Sequence, residues 1–144
     1  MARSLTLLAA LATLAAPPAL AAELPFLVVA HPDAPVTELT RPQLSRLFLK
    51  KTTRWRDGST ARVVEPLDAK LRESFARLVH ERSVADVAAY WNALIFSGRE
   101  LPPLEKATDG DVLAYVRATP GAIGYVSGGA DTAGVKVVPV GRER

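Results

Sequence analysis

Short apolar runs of β-forming residues alternate along this chain with capped, amphipathic helical stripes. That alternation constrains the fold more than any other feature, because interleaved strands and helices build a sheet with helices packed on it. Residues 24–30 (LPFLVVA) read as a buried strand, stopped by the two prolines of 31–35 (HPDAP). Thr40 and Gln43 have capping-box spacing, and Leu44, Leu47 and Phe48 share one face, so a short helix is expected over 41–49. An Asp57-Gly58 turn precedes a second strand over 60–65, closed by Pro66. Asp68 can cap a helix whose inward face is Leu71, Phe75, Leu78 and Val79, and the α-helical period puts His80 on the opposite, solvated face. Ser83 and Asp86 open a third helix with the cleanest stripe in the chain: Val84, Val87, Ala88, Trp91, Leu94 and Ile95, with Gly98 as its C-cap glycine. Thr108 and Asp111 cap a fourth, with Val112, Leu113 and Val116 inward. A third strand follows over 122–126 and a last one over 135–140, the latter ending near Pro139. The predicted order, β-α-β-α-α-α-β-β, is an α/β domain.

The amino terminus reads differently. A short basic start (MARS), an apolar run over 5–16, Pro17-Pro18 and then Ala19-Leu20-Ala21 have the layout of a secretory signal peptide. The expected organisation is a signal peptide over 1–21 and one exported, periplasmic domain over 22–144. With 144 residues, the chain has room for a single domain. It has no cysteine, which excludes disulfides, thiolate metal sites and a lipoprotein anchor, so an exported product relies on its core alone. Two histidines are too few for an all-histidine metal site.

Three pieces of the sequence resemble the periplasmic phosphate-binding proteins of ABC transporters. The first, ending at Gly58, is L-T-x-x-Q-L-x-x-L-F-L-x-K followed by W-x-D-G. The second is Y-W-x-x-x-I-F-x-G from Tyr90 to Gly98. The third and most specific is P-G-A-I-G-Y-V from Pro120 to Val126. Their order and spacing follow the family over nearly all of 22–144. The resemblance implies a single periplasmic-binding-protein-like lobe, with a mixed sheet flanked by helices. Full-length members have two lobes around a cleft, and this chain has room for one. The family's anion signature, an arginine followed by Ser-Gly-Thr opening a helix, has no counterpart, since the corresponding stretch over 65–75 reads EPLDAKLRESF.

Four residues are candidate ligand contacts. Lys70 and Arg72 lie in the first turn of the second helix, where backbone donors, an ammonium and a forked guanidinium could hold an oxyanion; the alternative is an ordinary solvated face, partly neutralised by Asp68 and Glu73. His31 follows the first strand, in a loop that the resemblance assigns to the ligand site. Ser127, with Gly128 and Gly129, could form a nest of N–H groups or simply a strand exit. The stretch 41–62 carries seven basic residues and one acid, a net charge of +6, while the rest of 22–144 is about −4. It could serve an anionic partner or lipid headgroups, or be the outer face of a helix. Few aromatics interleave with these charges, so nucleic acid is not expected. No nucleophile elbow, H-E-x-x-H or glycine-rich phosphate loop occurs, so neither catalysis, nor a cofactor, nor a metal is expected. The function expected is a solute-binding-like protein for phosphate or another small oxyanion, serving ABC-type transport or sensing. The alternative is an interaction module that docks on a membrane permease or sensor. A symmetric homodimer pairing two open faces would supply the missing second wall.

Overall fold

The computed structural model describes residues 24–142. The signal peptide expected over 1–21 lies outside the described residues. The backbone elements are Phe26–Ala30 (β1), Leu39–Thr40 (β2), Arg41–Phe48 (α1), Arg62–Pro66 (β3), Ala69–Phe75 (α2) running into a π-helical turn Ala76–His80, Val84–Phe96 (α3), Leu104–Lys106 (β4), Asp109–Ala118 (α4), Ala122–Ser127 (β5), Lys136–Val137 (β6) and Val140–Gly141 (β7). Five strands form a mixed sheet in the order β4-β3-β5-β1-β6. β4, β3 and β5 are parallel, and β1 is antiparallel to both β5 and β6.

The strand period of two splits the core between the two faces of this sheet. Phe26, Val28, Val63, Ile123 and Tyr125 face Leu44, Leu47 and Phe48 of α1 and Phe75 of α2. Val29, Val64 and Val126 face Val112, Leu113 and Val116 of α4. The result is helix, sheet, helix in three layers. Phe75 is the hub of the first face: its ring stacks on Tyr125 with centroids 4.0 Å apart, and it touches Phe48 at 4.8 Å and Phe26 at 5.3 Å.

Local signals place the helices. Thr40 accepts from the Gln43 N–H at 3.3 Å while Gln43 Oε1 accepts from the Thr40 N–H at 2.9 Å, the full capping box. Thr40→Ala should therefore cost about 1 kcal/mol, read as a lower urea midpoint at unchanged slope. Asp68, Ser83 and Thr108 cap α2, α3 and α4 through their side chains. Gly98, at φ +65°, follows the Ser97 C-cap.

Four expectations are corrected. The last strand is not continuous over 135–140. Pro139 has no N–H to give, and on either side of it β6 pairs with β1 while β7 pairs with β2. Two short strands, β2 and β4, occur where none was expected. The α3 stripe is not a core face: Trp91 is buried, but Val84 and Ile95 are nearly half exposed, and Phe96 next to them is 92% exposed. Finally, His80 is buried rather than solvated. The π turn holds one residue more than an α turn, so the α period no longer applies beyond Phe75 and the imidazole swings inward. There its Nδ1 shares a 2.7 Å hydrogen bond with the Ser45 hydroxyl, and its ring meets Phe75 edge-on at 5.3 Å.

Candidate functional site

Because β3, β4 and β5 are parallel, their carboxyl ends lie along one side of the sheet, and α2 and α4 both begin there. In open α/β sheets this is where ligands bind. A cleft of about 290 Å³ occupies the position, lined by Asp68 and Lys70 of the α2 start, Thr108 and Asp109 of the α4 start, and Ser127 at the end of β5. Two of the four residues singled out in the sequence, Lys70 and Ser127, therefore come together.

Two of the cleft's donor groups, Ser127 and the Leu71 N–H, are already engaged by the protein's own carboxylates. Ser127 donates its backbone N–H to Asp109 Oδ1 at 3.1 Å and its hydroxyl to Asp109 Oδ2. Asp68 Oδ1 accepts the Leu71 N–H at the start of α2 at 2.9 Å. An incoming anion would have to displace both, leaving the Lys70 ammonium as its first attraction.

Arg72 turns away from this cleft. Its Nη2 lies 3.3 Å from Glu65 Oε2 and 3.3 Å from Glu105 Oε1. These glutamates are register partners on β3 and β4, so two carboxylates sit side by side and the guanidinium bridges them. The neutralising acids are thus Glu65 and Glu105, not the Asp68 and Glu73 expected from proximity in sequence. Glu65 is buried beside Tyr125, Phe75 and Trp91 at a cavity of about 80 Å³ beneath α3. Burial pushes its carboxyl up to about 7; Glu105 adds to the effect, and Arg72 opposes it. Burial, helped by the Glu65 charge, also raises the Tyr125 phenol. On the same side of the sheet His80 moves the other way, down to about 4, because burial disfavours the imidazolium and Arg82 and Lys51 repel it.

His31 joins none of the others. It follows β1, and its N–H donates to the Ala122 carbonyl at 2.9 Å at the start of β5, whereas Ser127 is at the end of β5 opposite Phe26. His31 Nδ1 accepts the Asp33 N–H at 3.1 Å and so braces its own turn. Sequence reasoning missed Glu65, Glu105, Asp109 and His80. The available signal was Glu65 itself, a carboxylate immediately before the Pro66 that closes a predicted strand. Among the described residues no three histidine or acidic side chains converge as a metal site, and no helix is long and apolar enough to cross a membrane.

This arrangement defines one lobe of a substrate-binding-protein fold, and solved structures agree. A Clostridium perfringens structure described as a phosphate ABC transporter substrate-binding protein with bound phosphate superposes with a TM-score of 0.61 at 21% identity, over 80% of this chain and 44% of that one. PstS from Borrelia burgdorferi gives 0.62 at 12% identity, over 83% and 48%. An ABC-type phosphate transport receptor from Vibrio cholerae gives 0.53 at 20% identity, over 80% and 45%. The chain spans less than half the length of these structures, and at such identities the likeness establishes the fold alone. No family model and no curated protein matches the sequence.

Proposed function

We propose that this is an exported, non-enzymatic solute-binding-like lobe that serves oxyanion transport or sensing at a membrane permease or sensor, and that it holds a small oxyanion such as phosphate weakly. The fold and the position of the cleft support the solute-binding part of this reading. The observation that sets the strength is the engagement of Ser127 and the α2 start by Asp109 and Asp68. A single wall also leaves the anion hydrated on its open side, so its contacts are screened. The expected dissociation constant for phosphate is nearer millimolar than micromolar, roughly −4 kcal/mol.

Calorimetric titration of phosphate at neutral pH tests this. Lys70→Ala should abolish the weak binding. Asp109→Asn keeps an acceptor for Ser127 but removes the competing charge, and should tighten phosphate severalfold. Micromolar binding by the wild-type monomer would sink the self-occupancy argument. A second reading, docking without solute, is favoured by the apolar side chains exposed on and beside α3, notably Phe96 and Leu101. It replaces the first if Asp109→Asn also fails to bind phosphate.

A further inference from the structure

A basic feature lies at the other end of the sheet and plays no part in the cleft. A groove of about 880 Å³ runs between α1 and the hairpin closed by the Arg54–Thr60 bridge. Arg46 from α1 and Arg54 and Arg56 from the hairpin line it, together with Thr40, Gln43 and Thr52. Glu38 is the one carboxylate in the lining. None of the three arginines is in an ion pair among the described residues; Arg54 donates to the Gly58 carbonyl at 2.9 Å, which fixes the hairpin. Trp55, buried among them and hydrogen-bonded through Nε1 to the Gly121 carbonyl at 3.0 Å, makes a rigid floor. Three arginines line this groove of small-ligand size around a fixed floor, and forked guanidinium donors suit phosphate oxygens better than a point charge does.

We propose that this groove is a second anion site, recognising anionic phosphoryl groups between Arg46, Arg54 and Arg56. The same chemistry is offered by a soluble polyphosphate and by an anionic lipid headgroup, and the test separates them. Tripolyphosphate is titrated into the protein with Trp55 fluorescence as readout, in a Trp91→Phe background. In parallel, the protein is sedimented with vesicles of phosphatidylcholine alone or with one-quarter phosphatidylglycerol. The double variant Arg46→Gln/Arg56→Gln leaves the Arg54 bond intact and should weaken the interaction at least tenfold. A charge-matched control, Arg77→Gln/Arg99→Gln, lies away from the groove and should change it less than twofold. Tripolyphosphate binding without sedimentation assigns a soluble ligand; sedimentation only with phosphatidylglycerol, lost in the groove variant, assigns the headgroup. The proposal is overturned if the wild type shows neither, or if the control loses as much as the groove variant. The outcome is independent of phosphate binding in the cleft, which Lys70 and Asp109 report.

Discussion

Replacing Gly121 with alanine should destabilise the protein by roughly 3–4 kcal/mol, the largest effect expected of any single methyl group added to this fold. Gly121 stands at φ +79°, and a Cβ there would lie 2.3 Å from the Thr60 backbone carbonyl oxygen and 3.5 Å from Trp55 Nε1. The strain of a left-handed residue accounts for about 1–2 kcal/mol, and the backbone shift needed to relieve the contact for the remainder. Gly58 separates the two terms. It has φ +87° but nothing within 4 Å of its would-be Cβ, so Gly58→Ala should cost only the conformational part. Urea denaturation of the two variants is the measurement, and equal losses would show that the Thr60 contact relaxes freely. Gly124 in the same motif has a different purpose: its missing side chain lets Val112 of α4 and Val64 of β3 close over the strand.

Between pH 4.5 and 6.5 the stability of the wild type should be nearly flat, because two buried groups oppose one another. Glu65 is raised from 4.5 to about 7, so the folded state holds its proton more tightly. Its contribution is fully present below about pH 4.5 and is lost as pH rises through about 7. His80 is lowered from 6.5 to about 4, so its contribution is present above about pH 6.5 and is lost as pH falls through about 4. Each shift corresponds to about 3 kcal/mol. His80→Gln should therefore leave a protein that loses about 3 kcal/mol as pH rises from 4.5 to 7, and Glu65→Gln one that loses about 3 kcal/mol as pH falls from 6.5 to 4. Denaturation midpoints across pH for the three proteins decide the matter. A wild-type slope as steep as either variant's would mean that the two groups are not both buried as described.

The layer architecture was legible because it follows from local signals: a cap, a stripe, a proline stop. Thr40, Asp68, Ser83 and Thr108 each cap the helix that their spacing announced. What was not legible depends on partners distant in sequence. The stripe of α3 identifies a helix but cannot say whether anything covers it, and Ile95 and Phe96 remain open to solvent. β4 is three residues at the sheet edge, Leu104–Lys106, too short to show a period and preceded by two prolines that read as loop. The site was half legible. The first turn of α2 announced Lys70 and Arg72, but Arg72's acids come from two different strands, one on each side of it in sequence. His31 was drawn in by family likeness, while the topology sends it to the opposite end of the sheet.

The π turn at Ala76–His80 amounts to one surplus residue carried inside a helix. Removing a residue there would let the ladder run as an α-helix throughout, at the cost of rotating everything beyond it by roughly 100° about the axis. His80 would leave Phe75 and the Ser45 hydroxyl for water, and Glu65 would be left without its titrating counterweight. The length of this segment, as much as the identity of its residues, underlies the expected insensitivity of the domain's stability to mild acid.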